Sequence, residues 1–217
     1  FAHAADAGWV HFSQDTATVV ADSAGITEFS AVSSAVYQVD GKNLRVGTRG
    51  FQLIGAVRSS EAATPFGTAQ VSQATYGREG SPYQYTLTIK QLNDLQAFTV
   101  QGVFHNYSDA DVNLQAFDLL DTRKGSGGSL QVENPAEWLV TPLMQDKPAL
   151  TLDVAKDTLN EAAMLYRPNG DGFLVGPLGP PVAYCNVQFV DQSLVASVNM
   201  DGVLVRAGES RLSEEMI

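Results

Sequence analysis

Cysteine, tryptophan, basic side chains and long apolar runs are what this 217-residue chain has least of. Its one cysteine, Cys185, has no partner, so a disulfide scaffold is excluded. Between Tyr184 and Asn186 on a predicted strand, it reads as a small buried hydrophobe. Thirteen Lys and Arg against 24 Asp and Glu leave a net charge of −11. Nucleic acids and anionic membrane surfaces both call for basic surface, and both are excluded as partners. No apolar stretch approaches the ~18 residues of a membrane span, so none is expected. The 19 Gly and 9 Pro match ordinary globular usage and remove collagen-like and low-complexity classes. A chain this long buries roughly 70% of its unfolded surface and can hold a core without metal or disulfide.

Phe1-Ala2-His3-Ala4-Ala5-Asp6 reads as the end of a secretory leader, with Ala2-His3-Ala4 as an A-x-A cleavage site. Residues 1–8 are therefore expected to be a terminal segment of an exported protein, periplasmic or extracellular; without a leader the location is cytoplasmic. Residues 9–217 show no linker rich in Pro, Gly or Ser and no internal repeat, and are expected to form one domain.

What the chain does have is alternation. From Tyr83 to Lys90, Tyr83, Tyr85, Leu87 and Ile89 face one way and Gln84, Thr86, Thr88 and Lys90 the other, the period of a half-buried strand. Ala97–His105 and Val112–Leu120 read as two more strands, joined as a hairpin by the turn-forming run Asn106-Tyr107-Ser108-Asp109-Ala110. Asp40-Gly41, Asp171-Gly172 and Asp201-Gly202 each lie between apolar runs and predict three further hairpins. The helix-like spacing over Ala155–Arg167 yields to a loop and a strand, because the hairpin after it needs Met164-Leu165-Tyr166. Thr122–Ser129 reads as a flexible surface loop. A dozen or so short strands predict two large antiparallel sheets packed face to face, an all-β sandwich.

Chemical signals are sparse. His3, His11 and His105 match no metal spacing, and His105 stands at a strand end beside a polar turn. Asp109-Ala110-Asp111-Val112-Asn113 opens like a calcium loop, but Leu114 and Leu120 occupy the positions that need Gly and Glu. Lys124-Gly125-Ser126-Gly127-Gly128 lacks the ending of a phosphate loop. No metal and no cofactor are expected. There is no G-x-S-x-G nucleophile elbow, and for the acid pairs Asp118/Asp121 and Glu133/Glu137 spacing in the sequence does not establish a cleft. The most suggestive segment is Glu133-Asn134-Pro135-Ala136-Glu137-Trp138. A Trp among polar and acidic groups can stack on a sugar face while Asn134 and Glu137 hold hydroxyls. Trp138, Glu137, Asn134 and His105 are the candidate sugar-binding residues. Trp138 is expected on an exposed concave rim, with a place in the core as the other reading. Trp9 is expected in the core.

Three segments carry a family resemblance. "FTVQGVFHNYSDADVNLQAFDLL" (Phe98–Leu120) resembles a strand pair, and "DGFLVGPLGPPVAYCNVQF" (Asp171–Phe189) and "MDGVLVRAGESRLSEEMI" (Met200–Ile217) are similar to later strands, of the N-terminal β-supersandwich domain of family 36 glycoside hydrolases, which are α-galactosidase-like. The match covers about half the chain and contains no catalytic motif. It implies a galactose-mutarotase-like fold and a non-catalytic role beside a following catalytic barrel, which holds the family's catalytic aspartates. Such a domain is expected to pack on the barrel and lend a loop to the sugar pocket. The implied partners are a galactoside-like carbohydrate met through the parent enzyme, the barrel itself and, in assemblies, further copies of the chain as a homo-oligomer. A stand-alone carbohydrate-binding or interaction module is the alternative. An aldose mutarotase is weaker, since that chemistry needs two histidines and a carboxylate base.

Overall fold

The computed structural model describes residues 10–12, 17–19, 26–92, 95, 97–143, 149–152, 161–168, 172–179 and 181–217. The expected terminal segment 1–8 and Trp9 lie outside the described residues. Among those described, helical geometry is confined to two single 3-10 turns, Lys124–Ser126 and Pro135–Glu137. The first strands are β1 (Val10–Phe12), β2 (Ala17–Val19), β3 (Ile26–Val39), β4 (Lys42–Gly47), β5 (Gln52–Leu53) and β6 (Arg58–Thr64). The middle of the chain forms β7 (Gly67–Gly77), β8 (Tyr83–Leu92), β9 (Ala97–Asn106), β10 (Val112–Asp121), β11 (Ser129–Val132) and β12 (Leu139–Pro142). The last are β13 (Leu150–Thr151), β14 (Ala163–Tyr166), β15 (Gly172–Val175), β16 (Tyr184–Val190), β17 (Ser193–Val205) and β18 (Ser210–Leu212).

An eight-stranded sheet runs β1-β2-β3-β10-β17-β16, with β4 and β11 also paired to β3. A six-stranded sheet runs β18-β9-β8-β7-β5, with β6 on β7, and a four-stranded sheet runs β13-β12-β14-β15. The expected all-β antiparallel sandwich is observed, with this third, smaller sheet added to the two large ones. Alternation explains the layers. Tyr85, Leu87 and Ile89 of β8 are buried, as are Phe98, Val100 and Phe104 of β9 and Leu114, Phe117 and Leu119 of β10. Tyr37 of β3 sits 5.0 Å from the Phe104 ring and 4.6 Å from that of Tyr83, so the two large sheets interlock through aromatic pairs. At Gly102 a Cβ would come within 2.6 Å of the Tyr85 hydroxyl, which is how that ring lies flat on the β9 backbone. The Tyr85 hydroxyl meets Ser33 Oγ at 2.6 Å, so this buried polar group has a partner in the opposite sheet.

Local turn chemistry decides which expectations hold. Asp40 (φ 49°) and Gly41 (φ 73°) close the β3–β4 hairpin in the left-handed geometry that matches strand twist. The β14–β15 hairpin also forms, with Ala163 opposite Val175 and Tyr166 opposite Gly172. Asp201-Gly202 makes no hairpin. Both residues have positive φ, but the chain continues straight on as β17, and Met200, Asp201 and Gly202 bulge opposite Gln115 of β10. The hairpin there is β16–β17, turned by Asp191 (φ 47°) and Gln192 (φ 59°).

β9 and β10 are not a hairpin either. β9 pairs with β8 and β18, β10 with β3 and β17, and the connection between them arches from one sheet to the other. Asn106, fully buried, is the keystone of that arch: its Nδ2 donates to the carbonyls of Ala110, Val205 and Arg206 at 2.9–3.1 Å. Its Oδ1 accepts from the backbone N–H and the hydroxyl of Ser108. The loop Thr122–Ser129, expected to be a flexible surface segment, is anchored at its start. Thr122 is buried and exchanges hydrogen bonds with Leu194, because β10 and β17 run on together to that point.

The four-stranded sheet joins the six-stranded one through the segment 213–217. Val100 and Met216 exchange backbone hydrogen bonds of 2.7 and 3.0 Å. On the other side Gly176 and Ile217 do the same at 2.9 and 2.8 Å, and Leu178 N–H donates to Glu215 O. Glu215 is fixed by Lys90 (2.9 Å) and by the hydroxyl of Thr99. Met216 and the inward residues of all three sheets then form one core.

Candidate functional site

The outer face of the six-stranded sheet carries a polar cleft of about 450 Å³. Strand register builds it. Thr75 of β7 lies opposite Thr86 of β8, and His105 of β9 lies opposite Gln84 of β8 on one side and Ser210 of β18 on the other. Being out of phase with the buried Tyr85 and Phe104, these side chains point away from the core. Three hydrogen bonds run across the four strands: Thr75 Oγ1 to Thr86 Oγ1 (2.9 Å), Thr86 Oγ1 to His105 Nε2 (2.9 Å), and His105 Nδ1 to Ser210 Oγ (2.8 Å). In a neutral imidazole one nitrogen donates and the other accepts, and a hydroxyl can answer either. Burial holds the His105 pKa below its ordinary value, so the ring is neutral at physiological pH. Tyr107, 56% exposed, stands at the cleft edge with its ring parallel to that of His105 at 5.6 Å.

This strip offers neutral hydroxyl, amide and imidazole groups beside an exposed aromatic ring, a surface suited to a hydroxylated ligand. Proton transfer at a sugar needs an acid and a base placed together, and the described lining supplies one histidine and no carboxylate. The aldose mutarotase alternative gains no support from it.

The segment around Trp138 turns out differently from the expected rim. Trp138 is fully buried. Asn134 (φ 48°) and Pro135 start a 3-10 turn that leaves Asn134 and Glu137 exposed and rolls the next residue inward. The indole Nε1–H donates to Glu133 O at 2.9 Å, and the Arg167 guanidinium lies over the ring at 4.9 Å. No ring face is left for a sugar, and the core reading of Trp138 is the one observed. His105 is not brought to this turn: among the described residues no hydrogen bond, ion pair or ring contact joins it to Asn134, Glu137 or Trp138. The acid pairs are likewise committed elsewhere. Asp118 is bridged to Arg45, and Asp121 receives two hydrogen bonds from the Arg123 guanidinium at 2.7 and 2.9 Å and one from the Arg123 backbone N–H at 3.0 Å. Burial alone would raise the Asp121 carboxyl, but the bonds from Arg123 and Ser126 outweigh it and hold it below the usual carboxylate range. Glu133 faces Arg167 at 3.7 Å.

Sequence reasoning named His105 but missed its partners Thr86 and Ser210, and Thr75 beyond Thr86. Strict alternation in β8 placed Thr86 on the outer face; nothing local signalled the strands that would flank it.

No family model matches the sequence, and no characterised protein matches it significantly. Solved structures do. The chain is similar to AgaB, a GH36 α-galactosidase from Geobacillus stearothermophilus, with a TM-score of 0.55 and 13% identity over 84% of this chain and 29% of that one. A variant of the GH36 α-galactosidase AgaA from the same organism, in complex with 1-deoxygalactonojirimycin, gives 0.53 and 12% with the same coverage. At this identity the likeness establishes the fold. The chain spans less than a third of the length of either enzyme.

Proposed function

We propose that this chain is the β-sandwich domain of a glycoside hydrolase resembling α-galactosidases, non-catalytic by itself and packed against a catalytic barrel in its parent chain. Its contact with sugar runs through the outer face around His105 and Tyr107. The observation that carries the reading is the overlap of 84% of this chain with 29% of two α-galactosidases. The strand and turn patterns of the sequence and the backbone superposition both support this reading.

The test has two arms. The purified 217 residues are expected to leave an aryl α-galactoside intact, and turnover would overturn the non-catalytic role. Reading the coding sequence past Ile217 is expected to give alternating strand and helix patterns, and a stop codon there would overturn the packing role. A stand-alone carbohydrate-binding module is the second reading, favoured by the exposed Tyr107 beside a hydroxyl-lined cleft. It predicts ~mM affinity for galactose, since exchanged water hydrogen bonds leave little net free energy.

A further inference from the structure

The chain carries 13 basic side chains in an acidic molecule, and five of them, Arg45, Arg49, Arg78, Arg123 and Lys124, line three adjoining clefts. The central cleft, about 340 Å³, shares Arg45 and Phe51 with one neighbour and Arg123, Gly125 and Ser126 with the other, so the three form one groove. It shares no lining residue with the His105 cleft. Arg45 and Arg123 are neutralised by Asp118 and Asp121. Arg49, Arg78 and Lys124 are not: among the described residues no carboxylate comes within ion-pair distance of them. Backbone carbonyls hold the two arginines instead. Arg49 Nη1 donates to Gly125 O at 2.8 Å; Arg78 Nε donates to Gly50 O at 3.2 Å while its guanidinium lies over the Phe51 ring at 4.4 Å. A carbonyl orients a guanidinium without cancelling its charge, and leaves the rest of the donor fork free for an incoming carboxylate. The loop beneath is braced by three backbone bonds, Ser126 N–H and Gly128 N–H to Arg123 O and Gly127 N–H to Lys124 O.

We propose that this groove binds a short acidic oligosaccharide, its uronate carboxylates held by Arg49 and Arg78 and its hydroxyls by the serines of the walls. The net charge of −11 disfavours longer polyanions such as nucleic acid, whereas a ligand bearing one or two carboxylates meets the local cations first. That the ligand is a saccharide rests on the carbohydrate reading above; the anionic character rests on the groove alone.

Titration calorimetry at low ionic strength tests this with digalacturonate, a neutral digalactoside, and sulfate and phosphate as separate probes. Digalacturonate is expected to bind, more weakly as salt is added, and Arg49→Ala or Arg78→Ala should each weaken it about tenfold, the loss of one charge-assisted contact. Both side chains are exposed, so unchanged melting temperatures are expected to accompany the loss. Absent binding, binding unaffected by either substitution, or sulfate and phosphate binding as tightly as digalacturonate would overturn the proposal. The neutral digalactoside separates the two readings. Its binding, if sensitive to His105→Ala and not to Arg49→Ala, sustains the galactoside site even where digalacturonate fails.

Discussion

Replacing Trp138 with alanine removes the largest fully buried side chain of the described core. An indole hides roughly 200 Å², worth about 5 kcal/mol at ~25 cal/mol/Å². Alanine retains part of that burial, while the cavity left behind adds to the cost. The lost bond from Nε1 to Glu133 O adds little, because Arg167 Nη2 still donates to the same carbonyl at 3.3 Å. The net expectation is a loss of about 3–5 kcal/mol. For a chain of this size each kcal/mol lowers the midpoint by about 2–4 °C, so thermal unfolding followed by far-UV circular dichroism should show a drop of roughly 6–20 °C. Trp138→Phe keeps most of the ring and should recover over half of it. A Trp138→Ala protein melting within about 2 °C of the parent would refute the burial argument, since such a small change marks a surface substitution.

His105 titrates below its ordinary value when folded, so the unfolded chain binds the extra proton as pH falls below about 6.5. Stability should be level above that pH and decline beneath it until the folded pKa is passed. His105→Gln should flatten that decline in a series of melting curves, and an unchanged pH profile would contradict it. Asn106→Ala removes three donated bonds at the arch and should cost about 2–4 kcal/mol by urea unfolding. Asn106 begins an N-x-S sequon, yet its committed amide predicts no glycan by mass spectrometry of protein made in a eukaryotic host. Gly102→Ala drives a methyl into the Tyr85 ring and should cost about 1–3 kcal/mol, measured the same way.

Much of the architecture was legible where the physics is local. The alternation of Tyr83–Lys90 and the Asp40-Gly41 turn each specify their geometry within a few residues, and both appear as expected. Where the expectation failed, the deciding partner was distant. Asp201-Gly202 has the same dipeptide and the same positive φ as Asp40-Gly41, but pairing with β10 on both sides of it keeps the strand running. The Asp191-Gln192 hairpin lacks the glycine that signals such turns, and its own register with β17 carries it. The orientation of Trp138 depends on where a single 3-10 turn starts. The His105 strip joins residues up to 105 apart in sequence, so only sheet register could reveal it.

The strip of backbone at 213–217 has a consequence for how the molecule comes into being. It lies between strands made far earlier: Met216 bonds to Val100, and Ile217 to Gly176. During translation β9 and the segment that follows β15 leave the ribosome first, each with one edge still bare, and they acquire their common neighbour only when residues 213–217 emerge. Until then the two edges are open to wrong partners, including those of another nascent chain. The vulnerable interval in the life of this protein is therefore set by the time the ribosome takes to pass from β9 to residue 217, and slowing elongation over that stretch should increase aggregation without altering the finished structure.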